Sequence, residues 1–342
     1  MPPKQTGVLL MNTGTPDAPT VRAVGSYLRE FLSDPRVVDI PVWARFILVN
    51  GVIVPFRSRA SAKAYAKVWT EHGSPLMNHS LKFAHSLHEE LGDTYCVSVG
   101  MQYGSPSIKQ AMQTLEHCSP LIVFPLFPHY AASSWGSAVA KVLRELSGRW
   151  NIPPIHLVPP FYNADAYLEV MADRVREFLD KEFDHVLFSF HGLPLRHLTK
   201  SGCQLRHPEL TKEQSSKCLS EPDYCYRAQC YESVRLLTEK VGIQRNVSIS
   251  FQSRLGRTPW IQPFTDKVIE ELAARHIRKL GIVCPSFVAD CLETLEEIGI
   301  RATESWKQWG GESLSLLPSL NDDPLWVRAA GRMVRDLSLA RS

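Results

Sequence analysis

Three groups of residues in this chain could do chemistry. The first is His191, which directly follows the apolar run "VLFSF" and so stands at the mouth of a predicted strand. An imidazole there can act as a base near neutral pH or ligate a metal through a ring nitrogen. The second is "ADCLETLEE" (289–297). If it is helical, Asp290, Glu293 and Glu297 project within roughly 60° of one another, with Leu292, Leu295 and Ile298 opposite. That row reads either as a solvated acidic face or as carboxylates lining a cleft, able to bind a cation and pass protons. The third is a polar stretch, "SGCQLRHPELTKEQSSKCLSEPDYCYRAQC" (201–230), which holds four of the eight cysteines: Cys203, Cys218, Cys225 and Cys230.

These residues need a frame. Short apolar runs at 7–12, 95–101, 121–127, 154–159, 185–190, 247–252, 279–284 and 314–319 alternate with helix-length amphipathic segments. Near-continuous apolar strands of this kind belong to parallel sheets covered on both faces. The expected fold class is therefore α/β, with two Rossmann-like lobes, each a four-stranded parallel sheet flanked by helices. The division falls near residue 160, giving lobes over 1–160 and 161–320 and a C-terminal helix over 321–342 that packs back across them. In such sheets ligands bind beyond the carboxyl ends of the strands. That rule selects "NTGTP", "YGSPS", "PHYAASS", "HGLP", "QSRLGRTPW" and "PSFVADCLE". Tyr130, Trp260 and Phe287 fall in these segments and could wall a flat ligand or simply fill the core. No GxGxxG or GxxxxGK[ST] loop supports nucleotide binding.

Composition excludes several classes. The chain has 342 residues, 44% hydrophobic and 21% charged, enough apolar surface for a core without disulfide staples. The start lacks a signal-peptide pattern, so a cytoplasmic location is expected, where cysteines favour metal ligation over disulfides. A net charge of +3 with scattered basic residues gives no footprint for nucleic acid. No feature of the sequence fixes an oligomeric state.

Five motifs, "GVLLMNTGTPDAP", "FLSDPRVVDIP", "VLFSFHGLP", "FQSRLGRTPWIQPFTD" and "CPSFVADCLETLEE", together resemble the ferrochelatases, which insert ferrous iron into protoporphyrin IX. The resemblance runs in order from Gly7 to near Ser338. It implies two similar lobes with a porphyrin cleft between them, His191 and Glu293 as the catalytic and iron-meeting pair, and Asp290 and Glu297 as further acidic positions. It also implies porphyrin contacts among Arg57, Arg59, Ser74, Tyr130, Trp260 and Phe287. Guanidinium groups suit the propionates, although these arginines could equally mark an ordinary helix start. The apolar stretch "PVWARFILVNGVIVPF" (41–56) corresponds to a lip over the cleft that can touch a membrane surface without spanning it. The cysteine-rich segment (199–230) is longer than in simpler members. Its spacing, C-x14-C-x6-C-x4-C, offers only one near-knuckle for zinc, whereas four thiolates hold a 2Fe-2S cluster with looser spacing. Certain bacterial members carry four cysteines here, so the resemblance favours the cluster over zinc or unligated thiols. Cys96, Cys118, Cys284 and Cys291 are read as small buried residues. Two other functions remain open on sequence: a cobalt or nickel chelatase of the sirohydrochlorin type, and a non-catalytic haem-binding redox sensor.

Overall fold

The structure, a computed structural model, describes residues 5–203, 224–243, 245–256 and 258–339. All eight apolar runs form strands: β1 (Thr6–Gly14), β2 (Tyr95–Tyr103), β3 (Leu121–Pro125), β4 (Ile155–Leu157), β5 (His185–His191), β6 (Val247–Gln252), β7 (Lys279–Val283) and β8 (Ser313–Leu316). They make two four-stranded sheets, ordered β2-β1-β3-β4 and β6-β5-β7-β8, with every pairing parallel.

The chain divides into two compact units: 1–127, 132–160 and 321–342 form one, and 128–131 with 161–320 the other. The first unit is built on β1–β4. Its central strand β1 is buried along almost its whole length, as the unbroken run "GVLLMN" requires when helices cover both faces. One layer of this core joins Leu9, Met11 and Val123 to Ile108, Met112, Val142 and Leu146 from the crossover helices. The helix Ile108–Thr114 starts on a reciprocal capping box between Ser107 and Gln110. The last helix, Pro324–Leu339, packs on the helix Pro75–Leu91 of the same unit. Trp326 stacks on Phe83 at 5.8 Å, and Arg335 pairs with Glu90 at 2.9 Å.

The second unit is built on β5–β8, around a core of Leu187, Ile282, Ile269, Leu272, Ile298 and Trp306. Its distinctive helix is Glu293–Ala302, which winds as a π-helix from a start at Leu292. The expected helix over 289–297 therefore begins later than the apolar period suggests. Asp290 lies ahead of it, and its carboxylate accepts from the Ser319 backbone N–H (3.2 Å) and the Thr294 hydroxyl (3.1 Å). These partners, one of them 29 residues away in the chain, hold the carboxylate ahead of the helix.

Candidate functional site

The carboxyl end of β5 is built around His191. Its strand neighbour in β6 is Gln252. The His191 carbonyl accepts from the Tyr226 hydroxyl at 2.7 Å, and its N–H donates to Ser286 Oγ at 3.3 Å. The imidazole Nδ1 lies 2.6 Å from the Gly192 carbonyl. A carbonyl oxygen only accepts, so Nδ1 carries a proton, and in the neutral ring Nε2 is the nitrogen left with a lone pair. The Phe287 ring stands edge-on to the imidazole at 6.3 Å. Gly192 is required here by close approach: a Cβ would lie 2.8 Å from the Gln252 carbonyl and 3.4 Å from Trp260 Cε3. Trp260 is fixed in turn by its indole N–H, which donates to the Leu255 carbonyl at 2.9 Å.

Gln252 joins this strand end to the acidic helix. Its side chain is buried; Oε1 accepts from Ser189 Oγ at 2.7 Å and Nε2 donates to the Glu293 carbonyl at 3.0 Å. The next residue, Ser253, has φ of 66°, a left-handed conformation uncommon outside glycine. That turn aims both its backbone N–H (3.0 Å) and its hydroxyl (2.5 Å) at the Glu297 carboxylate. Glu293 and Glu297 are half-buried on one helix, while Asp290 is buried. The expected row of three carboxylates thus resolves into two on the π-helix, Glu293 and Glu297, and one ahead of it, Asp290, engaged in a hydrogen-bond set of its own.

The other expected contacts are distributed as follows. In the second unit, the Tyr130 N–H donates to Gln229 Oε1 at 2.7 Å, and its ring packs edge-on against Tyr224 at 4.7 Å. In the first unit, Arg57 and Arg59 are exposed on the helix Val54–Val68, and Ser74 is buried at the start of the helix Pro75–Leu91. Of the four clustered cysteines, Cys203, Cys225 and Cys230 are buried; Cys218 lies outside the described residues. Cys203 closes the turn after the helix Leu195–Lys200, and Cys225 and Cys230 begin the helix Tyr226–Val241. Burial pushes the Cys230 thiol well up; one turn earlier on the same helix stands Tyr226, whose hydroxyl holds the His191 carbonyl.

Sequence reasoning singled out neither Gln252, Ser253 nor Tyr226. The first two lie within "QSRLG", a segment the strand-end rule does select, but only their partners reveal what they hold. Tyr226 lies within the cysteine-rich segment, between Cys225 and Cys230, and reaches His191 only through the tertiary fold.

Two four-stranded parallel sheets flanked by helices, one of them with an imidazole at a strand end beside a helix that carries carboxylates, define a chelatase-like α/β protein. SirB from Bacillus subtilis with Fe3+ is similar at a TM-score of 0.56 and 12% identity, over 98% of this chain and 96% of that one, a likeness that shows the fold alone. The ferrochelatase family model matches residues 5–337, and the chain belongs to that family. Ferrochelatase of Legionella pneumophila (strain Paris) is 45% identical over 96% of this chain and 98% of its own length. Ferrochelatase of Coxiella burnetii (strain CbuK_Q154) is 47% identical over 96% of this chain and 93% of its own.

His129, beside Tyr130, bears on how this unit responds to acid. Its Nε2 lies 2.8 Å from Ser233 Oγ, and its buried Nδ1 has no hydrogen-bond partner among the described residues. Burial lowers its pKa to about 3. The unfolded chain takes up this proton near pH 6.5, so between about pH 6.5 and 3 unfolding binds one proton more and stability falls with acidification. His185 contributes in the same direction, lowered by burial first and by Arg275 next. Urea unfolding at pH 7 and pH 5 should show His129→Gln losing less stability on acidification than the wild type, by up to about 1.4 kcal/mol per pH unit. Equal losses in the two proteins would remove His129 from the acid response.

Proposed function

We propose that this protein inserts ferrous iron into protoporphyrin IX to form protohaem, the terminal step of haem formation, with His191 and Glu293 handling the metal and the protons. Membership of the ferrochelatase family supports the reaction. The observation that carries the assignment of residues is the His191 ring: Nδ1–H is committed to the Gly192 carbonyl, which leaves the Nε2 lone pair at the mouth of the sheet. Insertion replaces two pyrrole N–H protons by one Fe2+, so the site must accept two protons and strip water from the ion. A neutral imidazole is a suitable base near pH 7. Imidazole and carboxylate give ferrous iron a replacement shell that holds it less tightly than thiolates would, so it can be passed on. Glu297, which accepts from Ser253, is proposed to carry protons away. Trp260, Phe287 and Tyr130 are proposed porphyrin contacts in the second unit; Arg57, Arg59 and Ser74 are proposed for the propionates in the first. Asp290 is left out of the catalytic set, because its carboxylate is engaged in holding the loop around the helix start.

The lip segment is proposed to touch a membrane surface. Val42, Trp43, Phe46, Ile47 and Phe56 are exposed, Trp43 by 71% and Phe56 by 78%, while Arg45 is buried and donates to the Val38 and Ile40 carbonyls. Apolar groups facing out and a guanidinium facing in invert the order that water favours and suit a lipid surface. No helix among the described residues is long and apolar enough to cross a membrane.

Cys203, Cys218, Cys225 and Cys230 are proposed to hold a 2Fe-2S cluster. The donor set fits in chemistry: three buried thiols flank the segment between 203 and 225, and a buried thiol loses its proton when a metal supplies the opposing charge. Cys225 and Cys230 bracket Tyr226, whose hydroxyl donates to the His191 carbonyl, so this helix start is shared by the proposed cluster and the proposed catalytic ring.

His191→Ala should lower iron insertion by roughly 10²–10⁴-fold and Glu293→Gln comparably, the usual loss for a positioned acid–base group, with porphyrin binding retained. Rates within a few-fold of wild type would remove the pair from catalysis, and preferred turnover of cobalt with sirohydrochlorin would reassign the substrate. In flotation with anionic vesicles the protein should rise with the lipid, and Trp43→Ser with Phe46→Ser should leave it at the bottom. Vesicle binding unchanged in that double variant would discard the lip contact. Protein purified without air should be red-brown, with about two iron and two acid-labile sulfide per chain. Serine at Cys203, Cys218, Cys225 or Cys230 should bleach it. A colourless preparation without sulfide would overturn the cluster and leave the chelatase activity standing.

A further inference from the structure

In the unit built on β1–β4, three metal-binding side chains meet near the amino ends of the strands, remote from the loops that the strand-end rule assigns to ligands. We propose that Cys96, His117 and Cys118 form a binding site for one divalent ion of zinc type. One ligand atom from each of the three lies within 4.8 Å of the other two.

The backbone brings them together by specific means. Cys96 is the second residue of β2 and pairs with Gly7 of β1. Cys118 lies in the loop between the helix Ile108–Thr114 and β3. The Cys118 N–H donates to the Leu115 carbonyl at 3.0 Å, and the Ser119 N–H donates to the Gln5 carbonyl at 2.9 Å, which pins the loop against β1. A Cβ on Gly7 would lie only 3.0 Å from Cys118 Cβ, so the bare glycine lets Cys118 settle against the strand beside Cys96. Cys118 is buried, Cys96 half-buried and His117 exposed. The two sulfurs thus make the floor of the site and the imidazole its solvent edge, which leaves an ion a way in.

The donor chemistry selects the ion. Zinc sits about 2.3 Å from sulfur and about 2.0–2.1 Å from nitrogen, so its tetrahedral ligands lie roughly 3.5–3.8 Å apart. Contraction from 4.8 Å or less to that spacing needs only small side-chain rotations. Two thiolates and an imidazole suit zinc or another soft or borderline ion and exclude magnesium and calcium, which take oxygen. Three protein ligands leave a fourth position for water. Apolar packing accounts for the buried sulfur of Cys118, but not for an exposed imidazole placed within reach of both thiols. An ion here ties the start of β2 to the loop entering β3, and its effect is on the stability of this unit rather than on iron insertion.

The test uses full-length protein, chelator-treated and kept reduced without air, titrated first with cobalt(II) and then with zinc(II). The expected result is thiolate-to-cobalt charge-transfer absorption with tetrahedral d–d bands, displaced by zinc, and a thermal midpoint raised by zinc. His117→Ala, at an exposed position that leaves the fold intact, and Cys96→Ser should each weaken this binding at least tenfold. Both variants keep the Cys203–Cys230 segment, so its contribution cancels in the difference. Iron insertion by His117→Ala should match the wild type. Cobalt spectra and zinc stoichiometry identical in the wild type and both variants would overturn the site.

Discussion

A primary amide buried at the carboxyl edge of a parallel sheet must find partners for its oxygen and its nitrogen, because water cannot supply them. Gln252 is that amide. Its oxygen is met by Ser189 of β5 and its nitrogen by the Glu293 carbonyl. Its own backbone carbonyl accepts from Gly192 at 2.8 Å. Two strands and the π-helix are thereby locked at one point, with His191 on one side and Glu293 on the other. Loss of either contact leaves a desolvated polar group, at a typical cost of about 1–3 kcal/mol. The site is held by the energetics of burial rather than by the groups that do the chemistry.

Around that lock, His191 and Glu297 each have a separate support. The Gly192 carbonyl fixes which imidazole nitrogen carries the proton, and Tyr226 holds the carbonyl of the same histidine. Ser253 accepts a left-handed backbone so that two donors converge on Glu297. Strained backbone at a strand end persists only where the surroundings over-determine it, and two charge-assisted hydrogen bonds supply that here.

The two units share one strand order and put their chemistry in different places. In the unit of β5–β8 the reactive groups stand at the carboxyl ends of the strands, as parallel sheets favour. In the unit of β1–β4, the cysteine and histidine donors gather toward the amino ends, where Gly7 leaves room beside β1. The same topology can thus gather polar donors at the carboxyl ends of one sheet and at the amino ends of the other.

The sequence by itself determined the architecture and the place of His191 at a strand end. Eight apolar runs mark eight strands because a strand buried on both faces must be apolar throughout, and that signal is local. His191 is legible for the same reason, since the first polar residue after such a run has to sit at the strand's mouth. Helical periodicity also placed Glu293 and Glu297 together. Only the tertiary structure decided that Asp290 turns inward, because its partner Ser319 lies 29 residues away and no periodicity encodes that contact. The same holds for Gln252 and Ser253, whose roles exist only through their partners on the π-helix. Cys96 and Cys118 read as small buried residues from sequence, and burial does describe Cys118. Their meeting with His117 depends on strand register and on a missing methyl at Gly7, and both are properties of the packed chain.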